Sequence, residues 1–359
     1  MNFTTLDETT FREFAEKSPY KSFMQTPELA KYREENGWIP YYFGVERNGK
    51  LVAATMLVAK PTFLGKSTYY APGGPILDYE DGELLRFFIK NLKSYIKSHN
   101  GYVLHIDPYY ELIQRDRHGE IVEGGFNHKQ AKVNLKNAGF IEIKNPGQPK
   151  YLFALDLKKQ TPDQIFADMK RNTRNHIRKA EKQGVKIREL KREELSIFKE
   201  ITESTSNRRN FTDRPLSYYE QMYDLFHPRK EAMFLLAEAE IEGKNTPLSA
   251  AMFVLYGDEV IYLFSGSDEQ YMKDYNAQYL IQWHMIKYAL EQKFKTYNFY
   301  GIQGLPDKSK KDYGIYDFKK GFTSDQNGRV IELIGSYELP VNHIFYQLHQ
   351  FLSKLKNRH

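Results

Sequence analysis

The sequence predicts an α/β protein made of two copies of one unit, each built on a mixed sheet, and three observations lead there. The chain has 359 residues, more than one hydrophobic core usually supports, so two domains are expected. Each half opens with strand-like hairpins and goes on to a strand, helix, strand order. The halves also superpose: Asn48-Gly49-Lys50 falls on Glu242-Gly243-Lys244, and the strand ending at Asp107 falls on the strand ending near Gly301. A third echo, at a smaller offset, sets Ala138-Gly139-Phe140 against Lys320-Gly321-Phe322.

In order, helical patterns are expected over 8–17 and 27–36, the second with Thr26 as N-cap and Pro27 in the first turn. The runs YYFGVE and LVAATMLVA form a hairpin across Asn48-Gly49. A strand over 67–71, a helix over 82–99 and a strand over 102–106 complete the crossover. A helix over 128–138 and a strand over 140–144 follow. Asn145-Pro146-Gly147-Gln148-Pro149 breaks the pattern, so domain 1 is expected at 1–149 plus 330–359 and domain 2 at 150–329. In the second half a strand over 151–157 precedes one basic helix, capped by Thr161-Pro162 and ended by Gly184. Helices near 192–206 and 217–226, three strands, a helix over 276–293 and the strand Tyr297 to Tyr300 come next. The pieces 330–335 and 340–355 are expected to return to the first domain.

Composition narrows the function. With 41% hydrophobic and 27% charged residues this is an ordinary soluble protein, while 15% aromatic residues suggest binding surfaces made of Tyr and Phe. The absence of cysteine excludes disulfides and thiol chemistry. The first residues, MNFTTLDETTFREF, do not read as a signal peptide, and the longest apolar run, Leu51 to Ala59, is too short to span a bilayer. A cytoplasmic monomer is the expectation. The net charge of +6 is concentrated in Lys158 to Arg192, which reads either as a solvated helix face or as a patch for a polyanion such as RNA.

Motifs of common enzymes are missing. No GxxxxGK[ST], GxGxxG or GxSxG occurs, and the histidines lack metal-ligand spacing. The stretch that stands out is YNFYGIQGLPDKSKKDYGIYDFKKGF, Tyr297 to Phe322: a strand that delivers Lys319 to a cleft, or a solvated lysine on a surface helix. Hairpins followed by a crossover resemble the acyltransferase fold called GNAT-like, so the fold expected is two tandem GNAT-like acyltransferase domains with mixed sheets. Acyl-CoA members of that fold hold the pyrophosphate on a Gly-rich turn. The corresponding turns here, Gly74-Pro75-Ile76-Leu77-Asp78 and Gln270-Tyr271-Met272-Lys273-Asp274, lack it.

The chain resembles the Fem family of aminoacyl-tRNA-dependent peptidyltransferases over nearly its whole length. The residues that carry the likeness are Ser18-Pro19-Tyr20, Glu28-Leu29-Ala30-Lys31, Tyr69-Tyr70-Ala71 through Gly74-Pro75, Ile106-Asp107-Pro108, the basic segment from Arg174 to Gly184, Thr212-Asp213-Arg214-Pro215, and Tyr316 to Lys319. The resemblance implies transfer of glycine, alanine or serine from aminoacyl-tRNA to the stem-peptide lysine of a peptidoglycan precursor, with neither metal nor cofactor. It implies that Lys31 and Arg214 grip a diphosphate, that Thr212 and Tyr218 line the same channel, and that Trp38, Tyr102, Tyr262 and Glu332 take further channel positions. It places Lys319, after Phe318, at the reacting ester, and Asp107 as base for the attacking amine; an Asp before Pro at a strand end also serves simply to fix a turn. Arg171, Arg174, Arg178 and Lys182 are the candidate tRNA contacts.

Phe264 departs from a channel tyrosine common in the family. Between Ser217 and Ala232 there is room for one short helix, so the long helical arm of some members is absent. That favours the FemX type, which acts on the soluble UDP-MurNAc-pentapeptide rather than the lipid-linked form. The rival readings are an N-acyltransferase using acyl-CoA and a non-catalytic tRNA- or precursor-binding protein.

Overall fold

A computed structural model describes residues 1–144 and 146–356, with the side chains of 353–356 outside the description. Asn145, the first residue of the expected break, lies outside the described residues.

The first run of elements is β1 (Asn2–Thr5), α1 (Glu8–Lys17), α2 (Pro27–Glu35), β2 (Ile39–Arg47), β3 (Lys50–Pro61), β4 (Ser67–Ala71), α3 (Gly82–Ser98), β5 (Gly101–Ile106), β6 (Glu111–Gln114), α4 (Lys129–Asn137) and β7 (Ile141–Glu142). The second is β8 (Tyr151–Asp156), α5 (Pro162–Asp168), α6 (Arg171–Lys182), β9 (Lys186–Glu189), α7 (Leu195–Arg209), α8 (Leu216–Phe226), β10 (Ala232–Ile241), β11 (Lys244–Tyr256), β12 (Glu259–Ser267), α9 (Met272–Tyr275), α10 (Ala277–Glu291), β13 (Thr296–Ile302), α11 (Tyr313–Lys320) and β14 (Gly328–Leu333). The chain ends its described part with β15 (Tyr337–Pro340) and α12 (His343–Lys356).

Two compact units result: 1–114 with 124–150 and 332–359, and 115–123 with 151–331. The boundary differs from the expected one in the segment 115–123. Within the second unit that segment is held by a hydrogen bond from Arg117 Nη1 to the Thr323 carbonyl (2.6 Å), by His118 against Asp325 (2.8 Å) and by Val330 N donating to Asp116 O.

In the first unit the sheet order is β1-β2-β3-β4-β5-β15-β7. Only β4 and β5 run parallel; the other neighbours are antiparallel. Asp7 caps α1 by accepting from Thr10 N at 2.7 Å, and Thr26 caps α2. The β2–β3 turn has Asn48 and Gly49 both at positive φ, the conformation an Asn-Gly hairpin favours. Helix α3 buries Leu84, Leu85, Phe88, Ile89, Leu92 and Ile96 on one face, at the i, i+4 spacing of an amphipathic helix.

In the second unit the order runs β14-β8-β13-β12-β11-β10-β9, with β12 and β13 the parallel pair. The repeat is therefore physical: β2, β3, β4, α3, β5 and β10, β11, β12, α10, β13 follow one plan. The strand beside the last member comes from β15 in one unit and from β8 in the other.

Three expectations need correction. The basic helix is two helices, broken at Met169 (ψ 151°), where Lys170 N donates to Gly321 O and Arg174 donates to the Ala167 and Met169 carbonyls. Tertiary partners make that break, and no Gly or Pro marks it. Lys319 is carried by α11, not by a strand. The return to the first unit begins at Glu332, inside β14 and within the stretch expected for it, and goes on through β15 and α12. The strand expected over 140–144 shrinks to two residues, and β1, β6, β9 and β15, too short to show a period, were not expected.

Candidate active site

The parallel pairs of the two units end differently. In the first unit β4 and β5 stay paired to their ends, Ala71 opposite Ile106. In the second, β12 and β13 pair only through Glu259, Val260 and Ile261 against Thr296, Tyr297 and Asn298, and then part. Two bulges drive them apart. On β13 the register slips between Asn298 and Gly301, with Tyr300 at φ 63°. The fully buried Asn298 holds that kink, its Oδ1 accepting from Tyr300 N at 2.7 Å and its Nδ2 donating to Glu259 at 3.0 Å. On β12 the slip falls at Leu263, since Tyr262 faces Phe253 and Phe264 faces Met252. Bulges turn a strand and free its backbone groups.

The freed carbonyl is Gly301, and Lys319 takes it. On α11, Tyr316 and Lys319 are three residues apart and share the inward face. Tyr316 packs into the unit's core, and the Lys319 ammonium donates to Gly301 O at 2.6 Å. Lys319 is 6% exposed. Burial, with the nearby charge of Arg209, pulls its pKa down to about 7. An ammonium has three donors, so two remain for a ligand. Arg209, at the end of α7, also acts on Tyr262, whose phenol is pushed up by burial and donates to Ser265. Phe318 points elsewhere: it packs on Tyr279 (5.0 Å) and Phe322 (5.3 Å). Its expected catalytic role is thus corrected to that of a wedge that seats α11.

The bulge at Leu263 sends Tyr262 and Phe264 to opposite faces of the sheet. Tyr262 stacks on Phe253 at 5.5 Å on the face that holds Tyr316. Phe264 meets Tyr218 (5.6 Å) and Tyr219 (5.8 Å) of α8. Arg214 lies over the Tyr218 ring at 5.4 Å, and it and Thr212 are exposed. Arg214 thus meets Tyr218, while Tyr262 and Lys319 both feel the charge of Arg209. Gly266, farther along β12, lets α7 approach: a Cβ there would stand 2.3 Å from Ile201 O.

What fixes Arg214 is its neighbour Asp213. That carboxylate accepts from Tyr219 Oη (2.6 Å), Thr202 Oγ1 (2.8 Å) and Lys199 Nζ (3.0 Å). Burial alone would raise its pKa, but these three donors outweigh it and hold the group below its usual range. Asp213→Ala should therefore cost about 2 kcal/mol in urea unfolding near neutral pH, the scale of hydrogen bonds to a charged group. Because the folded-state value is lowered, this stabilisation exists above about pH 4 and fades as the pH falls below that. An unchanged midpoint would remove the anchoring role.

In the first unit, Asp107 lies just past β5. Its Oδ1 accepts from Gly73 N at 2.6 Å and its Oδ2 from Tyr70 Oη at 2.5 Å. Burial pushes the carboxyl up to about 6, against the hydrogen bonds from Tyr70 and Gly73 and the charge of Arg33. Both oxygens accept hydrogen bonds that lace the ends of β4 and β5, the geometry of the turn-fixing alternative to the base role. Its counterpart in the repeat is Gly301, where the strands part instead. Around Tyr70 sit Arg33, whose guanidinium lies 5.6 Å from the Tyr70 ring and 5.5 Å from that of Trp38, and Lys60 at 5.3 Å from Trp38. Trp38 and Asp107 thus belong to one cationic, aromatic cluster. Lys31 is exposed on the same helix as Arg33.

Two of the expected channel positions are buried. Tyr102, fully buried at the start of β5, packs against Phe63 and His349, five residues from Asp107 along the strand. Glu332 is buried and lies 3.6 Å from Lys150. On α6, Thr173, Ile177 and Ala180 face the core, leaving Arg171, Arg178 and Lys182 on the exposed side. Arg174 instead caps α5 and is removed from the tRNA candidates. Arg209, Asn298 and Arg33 were missed by sequence reasoning, and Tyr70 entered it only as part of a motif, with no role. Only Asn298, a polar residue inside an apolar strand, left a local signal.

Among the described residues no group of His, Asp and Glu could hold a metal, and no helix is long and apolar enough to cross a membrane. Comparison with known proteins agrees with this architecture. The chain is similar to a crystal structure of FemX, with a TM-score of 0.83 at 22% identity, covering 97% of this chain and 99% of that one. It is also similar to a tandem GNAT protein from the clavulanic acid biosynthesis pathway, with a TM-score of 0.53 at 10% identity over 95% and 98% of the two chains. The units are GNAT-like domains in tandem. Aminoacyltransferase FemA from Staphylococcus aureus (strain MRSA252) is 29% identical over 425 residues, covering 100% of both chains. An alignment of 425 positions over a chain of 359 residues leaves at least 66 positions of FemA without a counterpart here (425 − 359). The FemAB family model matches residues 6–246 and 239–354. With the match running through both units, the chain belongs to the FemAB family.

Proposed function

We propose that this FemAB-family aminoacyltransferase moves an amino acid, glycine, alanine or serine, from aminoacyl-tRNA to the stem-peptide lysine amine of a peptidoglycan precursor, building the interpeptide bridge. The observation that carries the chemistry is the buried Lys319 ammonium at the place where β12 and β13 part. The ester on tRNA is already activated. The acceptor nitrogen attacks its carbonyl carbon, the C–N bond forms, and negative charge gathers on the carbonyl oxygen. Lys319, with donors to spare beside the Gly301 carbonyl, stabilises that oxygen. The C–O bond to the ribose then breaks, and the amine's proton leaves with the ribose hydroxyl or to solvent. The remaining acceleration comes from holding ester and amine together.

Arg214 over Tyr218 suits a diphosphate of the acceptor. The acceptor is UDP-MurNAc-pentapeptide or its lipid-linked form, and the protein works in the cytoplasm as a monomer. Arg171, Arg178 and Lys182 contact tRNA phosphates. Replacing these three by Gln should raise the apparent KM for aminoacyl-tRNA and lower the slope of log affinity against log salt by about 2–3. An unchanged slope would take α6 out of the interface.

The decisive assay incubates the protein with UDP-MurNAc-pentapeptide and a mixture of charged tRNAs and weighs the product. The expected product is heavier by an amino-acid residue. Transfer from acetyl-CoA, with none from any charged tRNA, would replace this reading by an acyl-CoA-dependent one.

A further inference from the structure

Helix α12 turns its polar side toward the protein and its apolar side to solvent. Facing inward, Tyr346 donates to Glu338 at 2.6 Å, Gln350 reaches the same carboxylate at 3.3 Å, and His349 stacks on Phe63 at 6.3 Å. Facing outward are Ile344 (78% exposed), Leu348, Phe351 (61% exposed) and Leu352, the i, i+4, i+7, i+8 stripe of an amphipathic helix. A helix that packs on a sheet normally shows the reverse. Beside it, next to Phe63, the turn after β3 holds Leu64 out at 74% exposure in the left-handed region (φ 54°). A β-turn tip of that kind gains nothing in folding from a leucine.

Lys66 follows Leu64 by two residues, and its Nζ stands 4.8 Å from the Phe345 ring. Positions 354, 356 and 358 are Lys, Lys and Arg, and no Asp or Glu follows Glu338. An apolar stripe next to Lys66, in a stretch whose charged residues after Glu338 are all cations, matches one partner by both components: a bilayer surface with anionic headgroups. The stripe would enter the acyl boundary while the cations meet the phosphates. A second copy of the chain would bring the same stretch, with cations and no anion after Glu338, to meet Lys66. We propose that α12 and the turn at Leu64 form a peripheral docking surface for an anionic membrane leaflet. The surface stands on the geometry of the first unit alone and does not depend on the transfer reaction.

The test is flotation of the full chain with large unilamellar vesicles, either phosphatidylcholine alone or phosphatidylcholine with phosphatidylglycerol at about three to one. The protein should float with the phosphatidylglycerol vesicles, poorly with pure phosphatidylcholine, and less at high salt as screening removes the headgroup attraction. The double variant Leu348→Glu/Phe351→Glu should lower the bound fraction at least about tenfold with an unchanged melting temperature, since both side chains are exposed. Leu64→Glu should weaken binding by a smaller factor. No flotation with phosphatidylglycerol vesicles, or equal flotation of the double variant, overturns the proposal. A concentration-dependent dimer in analytical ultracentrifugation that the double variant abolishes overturns it too, by making the stripe a self-interface.

Discussion

Lys319→Met is expected to lower the single-turnover rate of aminoacyl transfer by about 10²–10³, the cost of one lost oxyanion donor, while making the fold more stable at pH 6. The two effects have one cause. Lys319 is buried, and the folded state holds its pKa near 7 against 10.5 in the free side chain. Between those values the unfolded chain binds more protons, so the wild type gains stability as the pH rises from about 7 to 10.5. Below pH 7 the folded protein carries the full penalty of a buried cation, which amounts to a few kcal/mol. Methionine keeps much of the volume and removes that charge. The loss of the bond to Gly301 O offsets part of the gain. Thermal melts should therefore place the variant above wild type at pH 6, with the gap closing toward pH 10. A variant that is less stable at every pH would mean that the lysine is a structural tie, not a strained functional group.

Asp107→Ala is expected to act in the opposite sense, costing about 2–4 kcal/mol of stability because Gly73 N–H and Tyr70 Oη lose a buried acceptor together. In a unit of this size that is a fall of about 5–10 °C in melting temperature. Asp107→Asn keeps one acceptor oxygen and should lose roughly half as much. If the carboxylate only laces the ends of β4 and β5, the rate per folded molecule should stay within about tenfold of wild type in both variants. A normal melting temperature for Asp107→Asn together with a rate loss of about 10³ would favour the base role instead.

Much of the fold was legible because it rests on local rules. Asn48-Gly49 and Thr26-Pro27 specify a turn and a helix start from neighbouring residues alone, and the 48-to-242 match exposed the repeat without any knowledge of packing. For the candidate site, the sequence offered residues only through a family motif, as for Lys319 and Arg214. Its geometry was not legible, because it depends on faults in regular structure. The slips at Leu263 and between Asn298 and Gly301 decide which face Tyr262 takes and which carbonyl Lys319 meets, and a period-2 reading of the strand runs straight through both. Arg174 shows the same limit. Its spacing places it with Arg171, Arg178 and Lys182, yet its guanidinium is drawn to carbonyls at a helix break that only tertiary contacts create.

The central claim is that Lys319 acts as a buried ammonium at the reacting ester. Its most direct test is the ratio of wild-type to Lys319→Met single-turnover rates measured against pH, since ionisation of the acceptor amine cancels in the ratio. The ratio is predicted to exceed about 10² below pH 7 and to shrink as the pH rises past it and the lysine loses its proton. A ratio near one throughout, or one that grows with pH as for a neutral amine acting as base, would contradict the account.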